Sequence, residues 1–278
     1  MTPEISEFSY GFALTNEMVG WAPMAVAPVF PSLIEEGKSG GGYDVKLDMP
    51  GLALYLQFKR ADCMKTRRAR EISDHGLRIS LPFYRFKITE SGKSDQHELL
   101  RALDDGSCLV FYVAPRFHEI AEINDAWVNN SVATNSIFVA PSEIGPLDLS
   151  SHHVAYDESQ AWLCSDPKEI DFLSSRALVE RLNSRILSDH RPFREKLPEL
   201  VVNMVSAEQR ARARLRDRES AEQAHAPVQR RSEATRPEAP PIPTRPPRPL
   251  SETDRQLREA SDMAARLFDA QLVIVQPY

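Results

Sequence analysis

Asp44, Gln57 and Lys59 are the residues whose types and spacing point most directly to chemistry. In Tyr43 to Asp48, the apolar Tyr43, Val45 and Leu47 alternate with Asp44, Lys46 and Asp48; in Leu52 to Lys59, Leu52, Leu54, Leu56 and Phe58 alternate with Ala53, Tyr55, Gln57 and Lys59. Two strands are predicted, with Pro50-Gly51 as the turn between them. Centred on that pair, antiparallel pairing sets Asp44 opposite Gln57; a longer loop from Asp48 to Gly51 slips the register by two and keeps the same faces together. Asp44, Gln57 and Lys59 then share one face, where opposed Cβ atoms lie about 5 Å apart. An acid, an amide oxygen and a lysine so placed suit metal-assisted phosphodiester hydrolysis. Asp44, the Gln57 side-chain oxygen and the Phe58 carbonyl are hard ligands for Mg²⁺ (or Mn²⁺). Lys59 would orient the attacking water or neutralise the developing charge. The competing reading is the solvated face of a half-buried hairpin, which carries the same residue types.

Directly after the second strand come Arg60, Lys65, Arg67, Arg68 and Arg70 against Asp62 and Glu71. On a chain with 34 Lys+Arg and 40 Asp+Glu, net charge −6, this is a local cationic cluster, and phosphate contact is its functional reading. A solvated charged surface is the alternative, and the neighbouring candidate metal site favours contact with nucleic acid.

Other polar motifs lead away from chemistry. Gly37-Lys38-Ser39 ends like a phosphate-binding loop, but Ser32 stands where its first glycine belongs and a strand, not a helix, is predicted to follow. His97, His118 and the pair His152-His153 lack zinc-site spacing, there is no Cys-x-x-Cys, and no Gly-x-Ser-x-Gly supports serine hydrolysis. Gln96 and Arg116 are placed to reach the Lys59 pocket from the next helix and strand.

Gly41-Gly42-Tyr43-Asp44 followed by Leu56-Gln57-Phe58-Lys59-Arg60 resembles the active-site hairpin of the PD-(D/E)XK nuclease superfamily, in its Mrr-like restriction endonuclease branch. The resemblance implies a restriction-endonuclease-like core over about residues 1 to 160, divalent-metal dependence and DNA as the usual substrate, in a bacterial or phage defence setting. It also implies a glutamate from the first helix: Glu17 stands at a suitable interval before Asp44, Glu7 is a poorer candidate, and Glu35 or Glu36 could approach from the loop. The metal set so implied is Asp44, Gln57 and Glu17, with Lys59 completing the catalytic group. Gln57 departs from the commoner carboxylate, which leaves the site one negative charge short. Some members keep the fold without cleaving, so a catalytically inactive module that binds nucleic acid or protein is the rival from a different class.

These residues need elements to hold them. Helices are predicted over Ser6–Val19, Asp95–Asp104 and Phe117–Trp127, and buried strands over Cys108–Ala114 and Ser136–Ala140, each stopped by a proline. That alternation predicts an α/β fold, a mixed sheet flanked by helices, within a nuclease-like domain of residues 1–190. A polar helix over 191–225, a proline-rich linker over 226–250 with eight prolines, and an amphipathic docking helix over 251–278 follow. The last carries Leu257, Ala260, Ala264, Leu267 and Phe268 at helical spacing and must dock on the main domain, a second copy or a partner. Truncation at Ala226 is accordingly expected to leave the main domain folded. With 278 residues, 42% hydrophobic and 27% charged, the chain falls among globular proteins and outside the disordered and collagenous classes. Three widely spaced cysteines and an acidic N-terminus without a basic and apolar leader point to the cytoplasm, and no apolar run is long enough to span a bilayer.

Overall fold

The structure, a computed structural model, describes residues 1–21, 50–89, 94–104, 108–148, 150–223 and 252–275. Helix α1 (Glu7–Trp21) is followed by strands β1 (Leu52–Phe58) and β2 (Asp62–Met64), the one-turn helix α2 (Arg70–Ser73), strand β3 (Phe83–Ile88) and helix α3 (Gln96–Leu103). Strand β4 (Leu109–Pro115), helix α4 (Ile120–Val128), strand β5 (Ser136–Val139) and the one-turn helix α5 (Pro141–Ile144) come next. Three short strands, β6 (His152–Tyr156), β7 (Ala161–Leu163) and β8 (Lys168–Ile170), precede helices α6 (Ser175–Ser188), α7 (Phe193–Gln223) and α8 (Glu252–Arg266) and strand β9 (Gln271–Val275).

The central sheet runs β5-β4-β1-β9. β1 and β4 are parallel, from Leu54 opposite Leu109 to Phe58 opposite Val113, while β9 lies antiparallel on the other edge of β1 and β5 antiparallel on β4. A parallel pair in the middle of a sheet has both faces covered, so its strands are apolar throughout. Leu54, Leu56, Leu109, Phe111 and Val113 pack beneath α1, α4 and α6, against Tyr10, Leu14, Met18, Ile123, Leu178 and Leu182. Ala53, Tyr55, Val110 and Tyr112 point the other way, into a core shared with α3, α7, α8 and a second sheet. Each fully buried Leu or Phe here contributes about 1.5–3 kcal/mol.

The second sheet, β2-β3-β6-β7-β8, is antiparallel throughout. Its inner face presents Tyr84, Phe86, Ile88, Val154 and Tyr156 to the central sheet, where Phe86 lies 5.9 Å from the Tyr112 ring and the Tyr156 hydroxyl donates to the Pro115 carbonyl at 2.6 Å. Its other face carries Phe83, Ala155 and Trp162, covered by Ile72, Leu77 and Ile79 from the segment that includes α2.

The α/β layout, the mixed sheet and its flanking helices are those expected from the sequence, as are α1, β1, α3, β4, α4 and β5 within a few residues. Three expectations meet a different structure. Both edges of β1 are occupied from Leu54 to Leu56, by β4 and β9, so the hairpin register that sets Leu47 opposite Leu54 finds no open edge there. Residues 43–48, Asp44 among them, and the linker 226–250 lie outside the described residues. The helix expected over 191–225 is not wholly solvated, because α7 buries Leu197, Leu200, Met204, Ala207 and Ala211 along one stripe. The segment expected as a docking helix over 251–278 ends its helix at Arg266 and enters the central sheet as β9. The apolar stripe of α8, with Leu257, Ala260, Ala264 and Phe268, is buried within the chain, so it does not offer a face for self-association. Among the described residues no helix is long and apolar enough to cross a membrane, and all three cysteines are buried free thiols.

Candidate functional site

The site forms at the C-terminal end of β1, the end of a parallel sheet where ligands are characteristically held. Lys59 follows the strand, and its backbone N–H donates to the Val113 carbonyl at 2.8 Å, continuing the pairing with β4. Its side chain turns to the face of Tyr55 and Gln57 and is buried at 7% exposure. The ammonium donates to Gln96 Oε1 at 3.1 Å and lies 5.5 Å from the Tyr112 ring centroid. Burial pushes the Lys59 pKa below its ordinary value, and the carboxylates of Glu7 and Asp269 pull it back up. Gln96, at the first position of α3, is fixed in turn by donating from Nε2 to Asp269 Oδ2 at 2.7 Å.

Gln57 is buried at 6% exposure on the same face. Its Nε2 donates to the Phe58 carbonyl at 3.3 Å, and its Oε1 has no partner among the described residues. A buried amide oxygen without a donor costs on the order of 1–3 kcal/mol, so this atom is an acceptor open to a donor or a cation. Behind the site, His97 lies 3.1 Å from the Tyr112 hydroxyl through Nδ1 and 2.8 Å from the Gly145 carbonyl through Nε2, with its ring stacked on Tyr112. The carbonyl can only accept, so Nε2 carries the proton and Nδ1 accepts from the tyrosine. Burial pushes the His97 pKa down to about 4, which keeps the imidazole neutral.

Helix α1 approaches this end of β1 closely at Gly11, where a Cβ would meet the Phe58 ring at 3.0–3.2 Å. The crossing places Glu7, one turn earlier, beside the site: its Oε1 accepts from the Arg60 backbone N–H at 3.4 Å. Glu17 lies ten residues further on, about 15 Å along the helix. Its carboxylate accepts from the backbone N–H groups of Val132 at 2.6 Å and Ala133 at 3.3 Å, so Glu17 caps a turn and does not join Gln57 and Lys59. The expectation for the helix glutamate is corrected: the acid that α1 brings near the lysine is Glu7. Gln96 reaches Lys59 as expected, whereas Arg116 donates to the Thr134 carbonyl at 2.8 Å. Tyr112 and Asp269 belong to the site without having been singled out in the sequence. Asp269 follows α8, more than two hundred residues from Lys59, and no local pattern marks it.

Among the described residues, no group of three or more His, Cys, Asp and Glu side chains could hold a metal ion. Gln57 Oε1 and the Glu7 carboxylate are hard oxygen donors of the kind a divalent cation takes, but α1, which carries Glu7, packs on the face of β1 opposite Gln57; Asp44, the third oxygen donor expected, is outside the described residues.

Arg60, Lys65, Arg67, Arg68 and Arg70 are all exposed. Lys65 lies 3.4 Å from Glu119 in a solvent-exposed pair. The two acids within the cluster turn away from it: Glu71 is buried against Arg85, and Asp62 lies 3.4 Å from the same guanidinium. The exposed surface of residues 60–70 therefore keeps its positive sign.

Compared with protein-family models, curated proteins and solved structures, the chain matches none. The functional reading rests on the geometry of the site itself.

Proposed function

We propose that this chain is a metal-dependent nuclease that hydrolyses phosphodiester bonds in nucleic acid, with DNA as the favoured substrate. The observation that carries the reading is the pairing, on one face at the C-terminal end of β1, of a buried lysine with a buried amide oxygen that has no partner among the described residues. Gln57 Oε1 and Glu7 would supply oxygen ligands to Mg²⁺ or Mn²⁺, and Asp44, whose place the hairpin register no longer fixes, is the further carboxylate that the resemblance implies. Such an ion, when bound, polarises the scissile phosphate and lowers the pKa of a water in its shell. Lys59 acts on the substrate side: its ammonium, shielded from bulk water, stabilises the charge that develops on phosphorus-bound oxygens as water adds and the leaving oxygen departs. Gln96 and the face of Tyr112 fix where that ammonium points. Arg60, Lys65, Arg67, Arg68 and Arg70 hold the flanking phosphates.

A second reading, a nuclease-fold module that binds nucleic acid or protein without cleaving, is favoured by the completeness of the Lys59 environment, since an enclosed ammonium bonded to Gln96 also serves as structural glue. One assay separates the two. Plasmid and single-stranded DNA are incubated with the wild type, Lys59→Ala and Gln57→Ala, in Mg²⁺ or Mn²⁺ and in EDTA. The nuclease reading expects metal-dependent cleavage by the wild type and a loss of about 10²–10³ in rate for Lys59→Ala. Wild-type protein that binds DNA but cleaves none of it in either metal overturns that reading in favour of the binding module.

A further inference from the structure

Asp269 occupies a position where local rules disfavour it. Leu267 N–H bonds back to Met263 O and Ala270 N–H to Ala264 O, each at 2.9 Å, which closes α8 with Asp269 in the left-handed region at φ 46°. Glycine or asparagine is the ordinary choice there, since a side chain is strained at that φ, and a carboxylate at a helix C-terminus opposes the helix dipole. Two local costs at one residue call for a compensating interaction elsewhere. That interaction is with Gln96 Nε2 at 2.7 Å, and Gln96 is the residue that accepts from the Lys59 ammonium.

The polarity of this chain of hydrogen bonds is forced. A carboxylate only accepts, so it takes the amide nitrogen of Gln96; an ammonium only donates, so it takes the amide oxygen. Without Asp269, the Lys59 hydrogen bond alone resists the amide's turning over to present Nε2, an orientation that would repel the ammonium. The anchor is firm on both sides. Phe268 and Ala270 flank Asp269 and are buried, and the next residue, Gln271, opens β9, paired with Leu56 of β1.

We infer that Asp269 is a positioning residue of the Lys59 site, holding the Gln96 amide with its oxygen toward the ammonium, so that the segment 252–275 completes the site. The consequence for cleavage rests on the nuclease reading; the hydrogen-bond geometry does not.

The test uses the full-length chain with Asp269→Asn and Asp269→Gly. Both residues accept the left-handed conformation, so thermal unfolding of both variants should match or exceed the wild type. The side-chain amide protons of Gln96, identified in NMR spectra by their loss in Gln96→Glu, should exchange with solvent about tenfold faster in Asp269→Gly, as expected when one hydrogen bond is removed, and near the wild-type rate in Asp269→Asn, whose amide oxygen can still accept. Cleavage of plasmid DNA with Mg²⁺ by Asp269→Gly should lose about tenfold in kcat at unchanged KM, the signature of an interaction made in the transition state. The exchange variant Gln96→Glu with Asp269→Asn keeps every donor opposite an acceptor and should recover kcat to within about threefold. Unchanged amide exchange in Asp269→Gly overturns the inference, as does wild-type kcat in that variant or an exchange variant no better than Gln96→Glu alone. Faster amide exchange from a wild type that cleaves nothing supports the positioning role and removes the nuclease reading instead.

Discussion

At the scale of single residues, the site is defined by what burial does to three polar groups. Gln57 carries an oxygen with no donor among the described residues, and replacing it by a carboxylate tests whether a cation belongs there. A buried carboxylate in place of that amide raises the charge of a shielded position, and a bound divalent ion relieves it. Mg²⁺ should therefore raise the melting temperature of Gln57→Glu by more than it raises that of the wild type, measured against EDTA controls; equal increments would show that Gln57 is no ligand. His97 gives a pH prediction. Its folded pKa is about 4 against an ordinary 6.5, set mainly by burial, with Glu98 acting to raise it and Arg101 and His152 to lower it. Above pH 6.5 both folded and unfolded states hold a neutral imidazole. As pH falls through 6.5 the unfolded chain takes the proton first, so stability is lost between 6.5 and 4, up to about 3 kcal/mol. Urea unfolding at pH 7 and pH 4.5 should show a larger loss for the wild type than for His97→Gln, which does not titrate there. Matching losses would mean that His97 does not stay neutral in the fold.

At the scale of elements, the C-terminal segment is part of the central sheet. A chain cut at Ala226 lacks α8 and β9, and with them the burial of Leu257, Phe268, Val273 and Val275. Their burial contributes about 6–12 kcal/mol, comparable with the 5–15 kcal/mol by which domains are ordinarily stable. The truncated chain should lose its cooperative unfolding transition and its near-ultraviolet circular dichroism; a sharp transition near the wild-type temperature would show the tail to be dispensable. This reverses the expectation drawn from composition. The proline-rich stretch reads as a boundary because nothing local says that the chain returns to the sheet beyond it. Gln271 to Val275 is a short apolar run, but its partner is β1, and pairing across such a separation leaves no trace in local periodicity. The apolar runs of β4 and β5 were legible because prolines end them and both faces are buried. β7 and β8 are three residues each, too short to show any period, and the second sheet went unread with them. At the site, alternation placed Gln57 and Lys59 on one face. It could not show that this face is covered, since the cover comes from α3 and from the turn after α8.

At the scale of the whole molecule, charge is sorted by position. The chain is acidic, yet the exposed side chains of residues 60–70 adjoin the Lys59 site with their two acids drawn inward to Arg85. If this surface carries nucleic acid past the site, replacing Lys65, Arg67, Arg68 and Arg70 with Ala should weaken binding evenly across sequences. The salt dependence should flatten by roughly one unit of slope for each phosphate that no longer meets a cation. Binding titrations at several salt concentrations check this, and an unchanged slope would place the nucleic acid elsewhere. Lys65 should contribute least of the four, because Glu119 already faces it.

The pairing of β1 with β9 also sets a schedule for synthesis. Residues 59–270 separate the two strands. At about 5–20 residues per second a ribosome needs roughly 10–40 s to add them. Throughout that interval β1 has an open edge and Lys59 lacks the turn that orients Gln96, so the nascent chain carries the parts of the site without its arrangement. On the proposed reading the chain would stay inert during synthesis, gaining its site only after β9 has left the exit tunnel. Ribosome-arrested chains ending near residue 225 should accordingly be protease-sensitive across β1 and inactive, and chains extended past Val275 by a tunnel-length linker should be neither.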